Sequence, residues 1–231
     1  MYAYAFFYTP SVPLKLPNGI AGSVEMMGNA HLSVLVEPGL SWEALQENDE
    51  QLIQAVLSYD RVICELFAQT TVLPLRFGTR FVSRESLLNH LDSQGYEYLK
   101  KLSRLQGKGE YTLKCMPLEM PVEISGTPGQ ASREVAVPGR EYFLAKKRLY
   151  QLQLEHQRQQ ATEWQNLQVA IAHSYPGNTV LGEAEGSVER IYLLAPLQEE
   201  SLLRDHVQNW QSECTYWAMT LSSALPPYHF A

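Results

Sequence analysis

The sequence has a deficit of positive charge and no long apolar run, and both features exclude broad classes of protein. Its 231 residues include 18 Lys and Arg against 25 Asp and Glu, which gives a net charge of −7. A protein that binds nucleic acid through the phosphates needs a basic footprint, so nucleic acid is not an expected partner. No window reaches the ~18 consecutive apolar residues of a membrane-spanning helix, so a lipid membrane is not an expected partner either.

Cysteine is also scarce. Cys64, Cys115 and Cys214 are far apart, with no CxxC pair and no histidine at metal-ligand spacing. Free thiols of this kind are typical of a reducing cytoplasm, where we expect the protein to be located. The proportions of hydrophobic residues, 45%, and of charged residues, 19%, are those of a globular protein.

Catalytic signatures are absent from the sequence as well. The six histidines show no HxH, HxxxH or HExxH spacing, and no GxSxG, GxGxxG or P-loop motif is present. Carboxylate pairs such as Glu183 with Glu185 lie in ordinary turn positions, where we expect solvent to surround them. The sequence therefore predicts no enzymatic activity, no catalytic residues, no cofactor and no metal.

Strand and helix patterns alternate in the first half of the chain. They predict strands at 2–8, 31–36 and 70–78, and helices at 52–67, 86–89 and 96–105. Pro74 has no amide donor, so its strand is expected at a sheet edge, at a bulge or as two short pieces. Gly95 predicts a break between the last two helices, and the glycines at 107 and 109 indicate a hinge.

The second half predicts a different succession of elements. A strand at 110–116 precedes an exposed loop over 117–138 and a long helical region from Gly139 to His173. The middle of that region carries no apolar residue, so we expect either a break or a helix that projects beyond its core. Two strands, a helix and a final strand complete a β-α-β-β-α-β series, the ferredoxin-like order.

The predicted fold class is therefore α+β with two domains. An N-terminal α+β domain is expected at 1–107. A ferredoxin-like C-terminal domain is expected at 108–231, with a helical insertion at about 139–173. The boundary is placed at the glycine-rich hinge.

A block with the sequence TVLPLRFGTRF, at 71–81, places Arg76 and Arg80 among phenylalanines. Arginines among aromatic side chains can form a recognition surface for anions or for a partner chain. Alternatively, the phenylalanines belong to the core and the arginines pair with Asp60 or Glu65 of the preceding helix.

The last eight residues, ALPPYHFA at 224–231, are unusually apolar. Two prolines stand beside Tyr228 and Phe230, and an exposed segment has no reason to be this apolar. We expect the segment either to pack back on its own domain or to dock into another molecule.

The pattern as a whole resembles the gas-vesicle protein F and L family of accessory proteins. The matching motifs run along the whole chain: YAYA at 2–5, TVLPLRFGT at 71–79, LQGKGEYTLK at 105–114, GREYF at 139–143 and PPYHF at 226–230. The resemblance implies a non-enzymatic minor component or assembly factor of gas vesicles, the gas-filled protein organelles of the cytoplasm. It also implies that the partners are the gas vesicle shell protein and other gas vesicle accessory proteins.

Shielding an aggregation-prone shell subunit during nucleation is a role that suits such a protein. The alternative is a small-molecule-binding or enzymatic module, since ferredoxin-like domains often have such functions. The missing catalytic constellation favours the first interpretation.

The expected partner surface is the helical stretch 151–168. It combines seven glutamines and few charges with Leu152, Trp164 and Leu167. Apolar side chains with little charge suit contact with an apolar subunit, because few charges have to be desolvated. The alternative is that the helices fold back on one another and bury these residues. The further candidates are Arg76, Arg80, Tyr228 and Phe230.

Overall fold

The structure is a computed structural model that describes residues 1–46, 48–120 and 139–231. Eight strands in these ranges form two four-stranded sheets. The strands are β1 Tyr2–Tyr8, β2 Glu25–Gly28, β3 Leu32–Glu37, β4 Val72–Pro74, β5 Lys108–Pro117, β6 Thr179–Leu181, β7 Glu189–Pro196 and β8 Trp217–Leu221. The helices are α1 Trp42–Gln46, α2 Asp49–Phe67, α3 Arg84–Leu105, α4 Gly139–Ser174 and α5 Glu200–Glu213. The α+β class is thus confirmed.

The first sheet has the order β2-β3-β1-β4, and the aromatic strand β1 lies inside it. A register shift between Ala3 and Ala5 marks a bulge, which changes the face to which the following side chains point. Tyr4 therefore stacks on Tyr59 of α2, while Phe6 stacks on Tyr98 of α3. Helices cover both faces of β1, which explains why nearly every residue in this run is buried.

Helix α2 begins where Asn48 caps it, and its buried face supplies the core of the first sheet. The Asn48 side chain accepts a hydrogen bond from the amide of Glu50 at 2.9 Å, which satisfies one of the free donors at the helix start. Strand β4 is only three residues long and lies at the sheet edge, as the proline predicted.

The predicted helix break at Gly95 is wrong. One helix, α3, runs from Arg84 through Gly95 to Leu105. A glycine inside a helix costs only about 1 kcal/mol relative to alanine. Leu91 and Leu102 are buried on either side of it, and their packing outweighs that cost. The hinge residues also differ from the prediction, since the last two belong to β5.

The second sheet has the order β6-β7-β5-β8, and its elements follow one another along the chain as β-α-β-β-α-β. The long helical region is a single helix of 36 residues, so of the two alternatives expected for its middle the break does not occur. Its buried residues lie near its end, at Leu167 and Ile171. Most of the predicted loop at 117–138 lies outside the described residues.

The chain forms two compact units. The first comprises Met1–Thr112, Tyr192–Ser201 and Ser222–Ala231, and the second comprises Leu113–Ile191 and Leu202–Leu221. These units are interleaved along the chain, unlike the consecutive ranges 1–107 and 108–231. The domain division stays a prediction.

Candidate functional site

The tail, residues 222–231, packs within the first unit. Leu225 exchanges two backbone hydrogen bonds with Glu110 of β5, at 2.8 and 2.9 Å. The Tyr228 hydroxyl donates to Oδ1 of Asp60 on α2 at 2.5 Å, and Phe230 is buried. Of the two interpretations of this apolar segment, packing back is the one found in the structure.

Glu110 and His229 anchor the tail. The Glu110 carboxylate is 1% exposed and accepts from the His229 backbone amide at 2.8 Å and pairs with Nδ1 of the same residue at 2.7 Å. The imidazole also stacks on Tyr192, with 3.4 Å between ring centroids. A buried carboxylate is costly unless donors reach it, so the side chain of Glu110 and the docked tail depend on each other.

Tyr228 lies against two side chains of α2, Asp60 and Cys64. Burial and the hydrogen bond to Asp60 raise the pKa of the Tyr228 phenol above its ordinary value. Burial and the charge of Asp60 also raise the pKa of the Cys64 thiol. The phenol therefore keeps its proton and remains a donor, and Cys64 lacks the thiolate character of a reactive cysteine.

The arginine block, residues 71–81, has its aromatic part in the core and its arginines on the surface. Phe77 packs between Trp42 and Tyr59, with ring centroids 5.2 and 5.4 Å away. Arg80 pairs with Glu43 at 2.9 Å and lies over the ring of Trp42.

The predicted pairing of these arginines with Asp60 or Glu65 is wrong. Asp60 accepts a hydrogen bond from the Tyr228 hydroxyl, and Glu65 pairs with Arg61 at 3.0 Å. Arg76 is exposed, and its side chain makes no hydrogen bond or ion pair with any residue that the structure describes.

The arginine block and the tail meet at a cleft of about 440 Å³, here called the tail cleft. Pro74, Arg76 and Phe77 line it together with Tyr228 and His229. The two most distinctive segments of the sequence, far apart along the chain, thus form one surface feature.

The predicted helical surface is only partly exposed. Leu152 is 55% exposed, but Leu167 is 4% exposed and buried in the second unit. Trp164 is half-buried against Trp217, at 5.2 Å between ring centroids. The C-terminal part of the stretch is therefore packed within the second unit, with Trp164 against Trp217 of β8, and the N-terminal part is open.

The open part of α4 lies upstream of His156, whose ring packs on that of Tyr216 at 4.9 Å between centroids. Gln159 accepts a hydrogen bond from the Tyr216 hydroxyl. The backbone oxygen of Gln160 accepts from Nε1 of Trp217 at 3.0 Å, and Glu163 accepts from two backbone amides at 2.7 and 2.8 Å. Upstream of these contacts, six large apolar or aromatic side chains are exposed: Phe143, Leu144, Leu149, Tyr150, Leu152 and Leu154. These six side chains form the α4 surface.

Sequence reasoning missed the anchoring role of Glu110 and His229. In the sequence, Glu110 is a polar position of a strand in which polar and apolar residues alternate. No spacing rule connects it with His229, which lies 119 positions later. The apolar composition of the tail predicted that it packs against something, but not its contact points.

Other kinds of site find no support in the described ranges. No three His, Cys, Asp or Glu side chains among residues 1–46, 48–120 and 139–231 come close enough together to hold a metal ion. None of the helices in these ranges is long and apolar enough to cross a membrane.

Two antiparallel sheets packed with helices, exposed apolar side chains on α4 and an aromatic cleft define an α+β protein whose distinctive surfaces suit contact with other proteins. The sequence matches the family model described as "Gas vesicle synthesis protein GvpL/GvpF" over residues 1–231. The chain belongs to this family, which confirms the resemblance found in the sequence. Its role is therefore related to gas vesicles and their assembly.

Two solved structures share the fold. Gas vesicle protein GvpF from Anabaena sp. PCC7120 matches with a TM-score of 0.66 and 15% identity, over 100% of this chain and 94% of that chain. GvpF from Microcystis aeruginosa matches with a TM-score of 0.64 and 15% identity, over 99% of this chain and 97% of that chain. No curated protein sequence matches significantly.

Proposed function

We propose that this protein is a minor structural component and assembly factor of gas vesicles that binds the small hydrophobic shell protein. By covering apolar surface of that protein, it limits aggregation while a vesicle nucleates. Membership of the gas vesicle family supports the setting. The observation that carries the binding step is the open α4 surface. Patches of this kind on a folded protein mark interaction sites or aggregation liabilities.

The chemistry of the α4 surface fits an apolar partner. Leu149 and Leu152 extend the helix face that buries Leu167 and Ile171 further along, but nothing among the described residues covers them. Side chains spaced three or four residues apart are the anchors by which an amphipathic helix packs into a partner groove. Burying such side chains contributes about 25 cal/mol per Å² of apolar area.

The partner surface is tested by a pull-down with the shell protein. We compare the wild type with the double variant Leu149→Glu, Leu152→Glu. The matched control is Ile53→Glu, Leu57→Glu on α2, which changes two aliphatic side chains of 59% and 58% exposure. We expect the α4 variant to lose binding and the control to retain it. Undiminished binding by an α4 variant that folds normally by circular dichroism would refute this surface.

Trp164 and Leu167 are excluded from this variant because both are packed in the second unit. Their substitution would damage folding as well as any interface. Of Leu152, Trp164 and Leu167, the variant therefore changes only Leu152.

We further infer that the C-terminal half is a ferredoxin-like domain and that other gas vesicle accessory proteins are additional partners in the cytoplasm. The β-α-β-β-α-β succession and the strand order β6-β7-β5-β8 support the domain assignment. Immunodetection on purified vesicles, before and after the outer surface is stripped, tests the location. A signal on intact vesicles is expected, and its absence from every vesicle fraction would leave only a role in assembly.

A further inference from the structure

Arg76 is a basic side chain of the tail cleft that has no ion-pair partner among the described residues. The two acids that the sequence suggested as its partners are engaged elsewhere, Asp60 by Tyr228 at 2.5 Å and Glu65 by Arg61 at 3.0 Å. The other basic side chain of the cleft, His229, is paired with Glu110 at 2.7 Å. Within the described residues, the Arg76 guanidinium is therefore available to a ligand from outside.

The walls of the tail cleft are aromatic and apolar. Phe77 and Pro74 face it from the arginine block, and Tyr59 and Tyr228 contribute phenol rings. The Tyr59 hydroxyl donates to the backbone oxygen of Leu75, and the Tyr228 hydroxyl donates to Asp60. Both phenol hydroxyls therefore already donate their hydrogen bond within the protein and are not available as donors to a ligand. What the walls offer to a ligand is ring surface.

The cleft is also held in a fixed shape. One wall is held by the packing of Phe77 between the rings of Trp42 and Tyr59, at 5.2 and 5.4 Å between centroids. The opposite wall is fixed by the two contacts between His229 and Glu110. A preformed cleft loses little conformational entropy when a ligand binds. Its volume of about 440 Å³ lies within the range of ligand pockets.

We propose that the tail cleft binds an acidic segment of a partner protein in which a Glu or Asp side chain lies beside an aromatic residue or a proline. The carboxylate pairs with the planar fork of Arg76, and the neighbouring apolar side chain packs on the rings of Phe77 and Tyr228. A small free anion is not the ligand, because a single exposed ion pair is weak and screened by salt. A segment that makes both contacts at once overcomes this weakness. The site is separate from the α4 surface and does not depend on it.

The probe is a short capped, fluorescein-labelled peptide with one Glu between Phe and Pro. Its matched control has Gln at the position of Glu. Fluorescence anisotropy is measured against the wild type, Arg76→Gln and Arg80→Gln. Arg80 is the matched control in the protein, since it lies in the same block but already pairs with Glu43.

We expect the Glu peptide to bind the wild type and Arg80→Gln equally, and Arg76→Gln about fivefold more weakly, the equivalent of one charge pair. The Gln peptide should bind the wild type as weakly as the Glu peptide binds Arg76→Gln. Equal binding by Arg76→Gln would overturn the proposal, and so would the absence of wild-type binding up to about 1 mM peptide. Displacement by equimolar acetate would assign the site to a small anion and also overturn it.

Discussion

Replacing His229 with alanine is expected to destabilise the docked tail without touching its backbone contacts. The substitution removes the Nδ1 contact to Glu110 at 2.7 Å and the stacking on Tyr192 at 3.4 Å. The amide of residue 229 still reaches Glu110 at 2.8 Å. One acceptor oxygen of a carboxylate that is 1% exposed therefore loses its side-chain partner.

The magnitude follows from these two contacts. A hydrogen bond to a charged group contributes about 1.5–3 kcal/mol, and an aromatic contact about 0.5–1.5 kcal/mol. The His229 side chain is 41% exposed, so water replaces part of what is lost. We therefore expect the free energy of unfolding to fall by about 2 kcal/mol, near the lower end of the summed range.

Equilibrium urea unfolding, followed by circular dichroism, measures this difference. The control is His31→Ala, a change at an exposed histidine, for which we expect less than about 0.5 kcal/mol. A double-mutant cycle with Glu110→Ala should give a coupling energy of about 1 kcal/mol or more. A loss for His229→Ala as small as that of the control, or additive double-mutant energies, would refute the anchoring role.

Three further predictions concern the two units. Glu37→Ala should lower the free energy of unfolding by about 3 kcal/mol, because the buried carboxylate accepts hydrogen bonds from a tyrosine hydroxyl and from the backbone amides of residues 20–22. A loss below about 1 kcal/mol in urea unfolding would contradict this. Gly78→Ala should cost about 1–2 kcal/mol, because its φ is 89° and the new side chain meets the Trp42 ring, and an unchanged melting temperature would speak against it. Burial raises the pKa of Cys115 from 9.0 to about 12. The stabilising effect of its neutral thiol is therefore complete below pH 9 and lost as the pH rises towards 12, and a Cys115→Ala variant should show a weaker decline of stability over that range.

Local chemistry correctly predicted those elements whose residues allow only one kind of position in the fold. Pro74 lacks a donor, and its strand lies at the sheet edge. The β1 run is buried because an aromatic strand needs cover on both faces. The same local reasoning failed at Gly95, where α3 continues because its buried leucines supply packing energy that a propensity argument does not contain.

The candidate sites depended more on tertiary pairing than on local pattern. The sequence suggested Asp60 as a partner for an arginine, but Tyr228, 168 residues away, takes that acid. Competition of this kind is decided by the three-dimensional position of the tail. The α4 surface shows the same dependence, since one amphipathic stripe is open at Leu152 and buried at Leu167. Hydrophobic periodicity identifies the apolar stripe of a helix, but it does not show where along the helix the packing of the rest of the protein against that stripe ends.

The central claim is that this protein keeps the small shell protein from aggregating. The direct measurement is light scattering after the shell protein is diluted out of denaturant, alone or with an equimolar amount of this protein. We predict that the wild type and the Ile53→Glu, Leu57→Glu control delay and reduce the rise in scattering, and that the Leu149→Glu, Leu152→Glu variant does not. A scattering curve that the wild type leaves unchanged would contradict the account.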